Sequence, residues 1–196
     1  LTNAKAMELS KITAKTPNPA GGEIIKDAKG RPIGAFLETA QGLVRIGISR
    51  AAQQRTAEER EAENRKIVEL ADQECLSKGL TSVGDAGAGW GTVELYKRII
   101  DEGKLGVRIN VMLSESAKRI EENAAAWKIS GYGADHLSVH TIKRLIDGAL
   151  GPRGAWLLEP YEDLAASVGL NTTAIEDMKA TARVAIENGF QVATHA

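Results

Sequence analysis

This sequence of 196 residues contains one cysteine and few aromatic residues, and neither sign of charge is in marked excess. The single cysteine, Cys75, excludes an internal disulfide framework. Lys and Arg number 25 against 26 Asp and Glu, so the chain lacks the basic excess on which nucleic-acid binding depends. No run of about 18 apolar residues is present, which excludes a membrane-spanning helix. With 4% aromatic residues and 20 glycines, the composition favours helices and strands joined by tight turns over an aromatic-rich binding module.

The length and the first residue set expectations about organisation. A chain of 196 residues with 43% apolar residues suits one ordinary domain with a core of its own. No signal peptide opens the sequence, and Leu1 is not a start methionine. We therefore expect a cytoplasmic protein, with an upstream segment missing from this sequence.

Residues 1–55 look irregular and rich in turn signals. The segment 16–22 contains Pro and Gly pairs, which favour turns because proline restricts φ and glycine frees it. Residues 23–27 and 33–37 are strand candidates, and Gly30 between them predicts a hairpin. A short helix is expected over 3–10. We interpret residues 1–55 as part of an insertion or lid segment, and residues 56–196 as the main domain.

From residue 56 the sequence alternates between helical and extended patterns. Residues 56–59 and 173–176 have the spacing of a capping box at a helix N-terminus. Ile67, Leu70 and Cys75 recur at helical spacing after the first of these boxes. Helices are predicted within 56–79, 92–102, 116–127 and 173–189, strands within 80–83, 107–113, 138–146 and 190–193, a turn at 84–87 and a loop over 149–171.

Short crossovers through helices require parallel neighbouring strands. The α/β pattern therefore fits two architectures, an open doubly wound sheet or part of a (β/α)8 barrel. A complete barrel needs about 250 residues, and four strands cannot close one. In both architectures, ligands bind at the carboxyl ends of the strands.

Candidate functional residues lie near those strand ends, and most of them have a structural alternative. Asp147 follows the third strand, and Asp85 is either a site residue or a turn residue. His195 is either a metal ligand or a structural histidine. Lys143, inside the third strand, is either an edge-strand or outward-facing lysine that reaches solvent, or a functional amine or carbamate. Arg153 is either a bidentate fork for a substrate carboxylate or an exposed arginine.

Six segments, taken together and in order, resemble amidohydrolase family 3. This family is the branch of the metal-dependent amidohydrolase superfamily that includes N-substituted formamide deformylases. The resemblance covers nearly the whole chain and is carried by residues 19–25, 30–38, 79–87, 142–143 with 147–151, 155–161 and 189–196.

The resemblance implies a partial TIM-like (β/α)8 barrel containing about strands two to five, preceded by part of an insertion. Lys143 matches the strand-four lysine that can be carboxylated to bridge two metals, and His195 matches the strand-five histidine ligand. Gly84 stands where some relatives carry a histidine. The remaining ligands of the superfamily, a His-x-His pair on strand one, a histidine on strand six and an aspartate on strand eight, cannot be placed in this sequence.

The activity implied by the resemblance is hydrolysis of non-peptide carbon–nitrogen bonds in small amide-like molecules. The implied cofactor is a divalent metal, zinc in the first instance, with one or two ions that activate a water molecule. Asp85, Asp147 and Arg153 are the candidate substrate-binding residues. Catalytic zinc takes three protein ligands and this chain offers at most two, so we expect the isolated segment to be inactive.

Two other interpretations stay open. The chain could be a complete small α/β domain that binds a ligand or partner without catalysis, or a catalytically inactive barrel relative. The flanking sequence discriminates among the three, because only an active hydrolase needs the upstream and downstream ligands. The oligomeric state, including a homo-oligomer, also stays open.

Overall fold

A computed structural model describes residues 1–53 and 55–196, which divide into two units. The hairpin unit comprises Leu1–Thr56, Leu145–Ala174 and His195–Ala196. The sheet unit comprises Ala57–Arg144 and Ile175–Thr194. The hairpin unit therefore draws on three separate stretches of the chain.

The hairpin unit contains the predicted β-hairpin. Its elements are α1 (Ala4–Leu9), β1 (Gly22–Lys26), β2 (Pro32–Glu38) and α2 (Gln41–Ala52). β1 and β2 pair antiparallel, and Gly30 in the turn has a φ of 76°, which glycine adopts at no steric cost. The core of this unit consists of Ile12, Ile24, Phe36 and Ala40.

The helix α2 contradicts the irregular structure expected before residue 55. Leu43 and Val44 pack against the core of the hairpin unit. This burial stabilises a helix that contains Gly42 and Gly47, two residues of low helix propensity. Tertiary packing thus overrides the local signal.

The sheet unit alternates helices and strands. Its elements are α3 (Ala57–Ser77), β3 (Ser82–Ala88), α4 (Trp90–Asp101), β4 (Arg108–Leu113), α5 (Ala117–Trp127), β5 (Ile129–Gly131), α6 (Tyr132–Asp135), β6 (Leu137–Leu145), α7 (Ile175–Asn188) and β7 (Gln191–His195). The last residues of β6 and β7 belong to the hairpin unit. β3, β4 and β6 run parallel in that order, β5 lies antiparallel to β6, and β7 also pairs with β6. The predicted α/β class is confirmed, whereas the barrel stays a prediction.

The helices cover one face of the sheet. Val111 pairs with Val139 and Leu113 with Ile142, so these buried side chains share a face. Helix residues that join the same core are Val93, Leu95, Ile99, Ile120, Ala124, Val184 and Ala185. Because β-strand side chains alternate, the residues between the buried ones lie on the opposite face. Within the described residues, no helix is long and apolar enough to cross a membrane.

The prediction of a turn at 84–87 is wrong. These residues lie inside β3, where Gly84 pairs with Asn110 and Asp85 with Val111. The register shifts between Asp85 and Ala88, and Gly87 there has a φ of 146°. The glycine-rich segment therefore forms a bulge in a paired strand, since pairing with β4 overrides its turn propensity.

The two predicted capping boxes have different outcomes. The helix α3 begins at Ala57, directly after Thr56, as the first box predicts. The helix α7 begins at Ile175, and the Thr173 hydroxyl donates to the Leu145 carbonyl at 2.6 Å instead of capping it. Thr173 thus stabilises the end of β6.

Candidate active site

Asp147 and His195 lie side by side in the hairpin unit. Asp147 follows β6 and is only 4% exposed, while His195 ends β7. The Ile146 amide donates to the His195 carbonyl at 3.0 Å, which holds the two strand ends together. His195 Nε2 lies 3.9 Å from Asp147 Oδ1. The structure therefore brings together two residues that the sequence singled out separately.

Only one of the two oxygens of the Asp147 carboxylate accepts a hydrogen bond from the described residues. Its Oδ2 accepts a hydrogen bond from the Trp156 amide at 2.9 Å. Its Oδ1 is buried and has no hydrogen-bond partner among the residues that the structure describes. Leaving a buried acceptor unpaired costs about 1–3 kcal/mol, and more for a charged group. Such an oxygen favours a nearby cation or hydrogen-bond donor.

The donor pair fits a divalent metal in part. A carboxylate oxygen and an imidazole nitrogen are both common ligands of zinc and related metals. Within residues 1–53 and 55–196, no group of three or more histidine, cysteine or carboxylate side chains is arranged to hold a metal. Asp147 and His195 could thus contribute to a metal centre but do not complete one.

A third residue of this region, Glu38, escaped the sequence analysis. It ends β2 with a left-handed φ of 45°, and its carboxylate lies against Gly148 and Gly154. A Cβ on Gly148 would overlap the Glu38 carboxyl carbon, and one on Gly154 would overlap Oε1. The glycines of the segment after Asp147 therefore leave room for this carboxylate. No local pattern could reveal a contact between residues so far apart in the sequence.

Arg153, also in the hairpin unit, is bound by another loop residue. Its Nε and Nη2 donate to the two carboxylate oxygens of Asp163 at 3.0 and 2.7 Å. This bidentate pair raises the pKa of Arg153 and lowers the pKa of Asp163. The guanidinium thereby ties the two ends of a loop segment, and its binding of a substrate stays a prediction.

Asp85 lies in the sheet unit, on the face that packs against the helices. Its carboxylate accepts a hydrogen bond from the Tyr96 hydroxyl of α4 at 2.8 Å. Burial, and then this hydrogen bond to Asp85, raise the pKa of Tyr96. Both side chains line a largely apolar cavity of about 290 Å³, to which Asp72 and Cys75 also contribute. A substrate-binding role for Asp85 stays a prediction.

Lys143 lies on the opposite face of the sheet. Arg144, its neighbour in β6, donates from Nε to Thr181 Oγ1 of α7 at 2.8 Å, and Ile142 is fully buried in the core. Side-chain alternation therefore turns Lys143 away from the helices. The alternative of an edge-strand lysine is wrong, because β6 pairs with β4 and with β7. Among the described residues, the Lys143 amine has no hydrogen bond or ion pair.

Comparison with known proteins finds a matching family and similar individual proteins. The model of the amidohydrolase family matches residues 1–196. The putative amidohydrolase YtcJ of Bacillus subtilis (strain 168) is 30% identical over 99% of this chain and 35% of its own length. The N-substituted formamide deformylase of Arthrobacter pascens is 38% identical over 53% of this chain and 18% of its own length.

A solved structure has the same fold. An uncharacterized metal-dependent hydrolase from Pyrococcus horikoshii OT3 superposes with a TM-score of 0.66 at 21% identity, covering 99% of this chain and 36% of that protein. The chain thus spans about a third of the length of the relatives that it matches throughout. The family match over residues 1–196 confirms the resemblance found in the sequence, and the chain belongs to the amidohydrolase family.

Proposed function

We propose that this chain is part of a metal-dependent hydrolase that cleaves non-peptide carbon–nitrogen bonds in small amide-like molecules. The observation that carries the proposal is the buried Asp147 carboxylate, with an unpaired oxygen, beside His195. This pair lies where β6 and β7 end, and ligands of parallel α/β folds bind at the carboxyl ends of strands. The names of the bacterial relatives support the reaction class.

The residues of this chain would have distinct roles at the metal. His195 would bind the ion through a ring nitrogen, and Asp147 would hold the imidazole in place, as carboxylates beside metal-binding histidines do. Lys143, carboxylated, would be a second ligand. When bound, zinc or another divalent metal supplies the Lewis acidity that activates water and polarises a scissile carbonyl. Asp85, Asp147 and Arg153 are proposed as substrate-binding residues.

We also infer that β3, β4, β6 and β7 are strands two to five of a (β/α)8 barrel. The parallel order of β3, β4 and β6, with helices between successive strands, supports this arrangement. Residues 1–55 would then be part of an insertion. In a barrel of this kind Lys143, on the face away from the helices, would face the axis.

The metal content of the full-length gene product tests the proposal. In the wild-type protein we expect a stoichiometric divalent metal by elemental analysis and hydrolysis of a simple N-substituted amide such as N-benzylformamide. His195→Ala should lose most of the metal and at least 100-fold in activity, because one ligand is removed. His136→Ala is the matched control, since His136 is half-buried and its ring contacts the Gly133 carbonyl as its one hydrogen-bond partner among the described residues.

Full metal occupancy in His195→Ala would contradict a ligand role for this residue. A wild-type protein that carries no metal and releases no amine would instead favour a non-catalytic α/β binding domain. Lys143→Ala adds an independent measurement. If Lys143 is carboxylated, the variant should lose activity, and added short carboxylic acids should restore part of it by replacing the missing carboxylate.

A further inference from the structure

The position of Glu38 in the hairpin unit carries an inference beyond the metal site. Gly148 and Gly154 both lie against its carboxylate, and neither glycine has a positive φ. Residues other than glycine can therefore adopt these two backbone conformations. A side chain at either position would, however, fill the space that the Glu38 carboxylate occupies. The Glu38 carboxylate contacts the segment that directly follows Asp147.

The Glu38 carboxylate has no hydrogen-bond donor or cation among the residues that the structure describes. Among the described residues nothing donates to it, although it is half-buried. The nearby Arg153 is occupied by Asp163 through both oxygens. Asp147 Oδ1, beside the same glycine segment, is a buried and unpartnered acceptor. Two carboxylates of this region thus offer oxygens that accept no hydrogen bond from the described residues.

We propose that Glu38 is a substrate-contacting residue that binds the nitrogen side of the scissile bond. This inference rests on the proposed hydrolysis. Water adds its hydroxyl to the acyl carbon, the carbon–nitrogen bond breaks, and the nitrogen leaves with the water's other proton as an amine. At neutral pH the carboxylic acid formed gives its proton to the amine, so the product is an ammonium ion. A fixed, unpaired carboxylate accepts the substrate N–H and then pairs with this ammonium.

Binding of a product-like amine tests the proposal without requiring turnover. The probes are benzylamine, an ammonium ion at neutral pH, and benzyl alcohol, a neutral molecule of similar shape, titrated calorimetrically into the full-length gene product. We expect wild type to bind benzylamine about tenfold or more tightly than benzyl alcohol, since a hydrogen bond to a charged group has that effect. Glu38→Gln should reduce the preference to less than about threefold.

Two further variants separate the charge from the position of Glu38. Gly154→Ala leaves the glutamate in place but displaces its carboxylate, so it should lose the preference as Glu38→Gln does. Glu23→Gln is the matched control, because Glu23 is an exposed glutamate on the other strand of the same hairpin, and its preference should equal that of wild type.

An amine preference that is absent from wild type, or that survives in Glu38→Gln or in folded Gly154→Ala, would overturn the proposal. If Gly154→Ala does not fold, the isosteric Glu38→Gln decides alone. A Glu38-dependent amine preference in a protein that hydrolyses no amide would overturn the proposed function and leave the amine-binding role of Glu38 standing.

Discussion

At the level of single residues, two buried aspartates differ in how far their carboxylate oxygens are hydrogen-bonded. Asp72 Oδ1 accepts hydrogen bonds from the Gly106 and Val107 amides at 3.0 and 2.9 Å, so this carboxylate joins α3 to the start of β4. Asp147 keeps one oxygen without a partner among the described residues. A satisfied buried carboxylate stabilises the fold, whereas an unsatisfied one is a candidate for function.

Replacing Asp72 should therefore destabilise the fold. Asp72→Ala leaves two backbone amides without their acceptor, and we expect the free energy of unfolding to fall by about 2–3 kcal/mol. Asp72→Asn keeps an amide oxygen at the same position and should lose less than half as much. Urea unfolding followed by circular dichroism measures both. Equal losses in the two variants would show that the hydrogen bonds are not the cause.

At the scale of elements, the short α6 is a left-handed turn. Gly133, Ala134 and Asp135 have φ values of 62°, 54° and 66°. Left-handed conformations cost non-glycine residues about 1–2 kcal/mol each. The turn persists because contacts on both sides hold it, among them the Tyr132 hydroxyl on the Asp101 carboxylate at 2.7 Å.

Ala134→Gly tests whether Ala134 has a left-handed backbone conformation. Glycine adopts the same φ without the Cβ penalty, so we expect the free energy of unfolding to rise by about 0.5–1 kcal/mol, net of the entropy that glycine adds to the unfolded chain. Ala125→Gly, in the right-handed helix α5, should instead lower it by about 1 kcal/mol. Thermal unfolding of the two variants gives the comparison, and a loss of stability in Ala134→Gly would contradict it.

At the scale of the whole molecule, the structure brings together two of the candidate site residues, His195 and Asp147. The relative that matches the chain throughout is about three times as long. The helix α3 also keeps Ile67 and Leu70 more than half exposed, although these residues recur at helical spacing. The described residues thus hold no complete set of metal ligands, and α3 has an exposed apolar face.

A segment limited to these 196 residues should bind divalent metal weakly. On the proposed assignment it supplies at most two, Lys143 and His195, of the three protein ligands that a catalytic zinc takes. We expect the isolated segment to lose zinc on dialysis against a chelator under conditions in which the full-length gene product retains it, and to release no amine from N-benzylformamide. Stoichiometric metal after dialysis, or turnover by the segment alone, would refute this.

Local patterns account for much of the fold. The hairpin around Gly30 and the helix over Ala117–Trp127 follow from turn chemistry and from a 3.6-residue period, which act within a few residues of each other. The helix α2 and the bulged strand β3 could not be predicted in this way. The helix α2 contains two glycines of low helix propensity and β3 contains a glycine-rich run that favours a turn. Packing or pairing with distant residues overrides both local preferences.

The α/β class, the family and the candidate residues Asp147 and His195 follow from the amino-acid sequence alone, because they depend on composition, periodicity and ordered motifs. The folded structure was needed to show that Asp147 and His195 are neighbours, that Asp85 faces the helices, and that Glu38 lies against Gly148 and Gly154. These contacts join residues far apart in the chain. They exist only once sheet register and the packing of the hairpin unit have fixed the backbone in space.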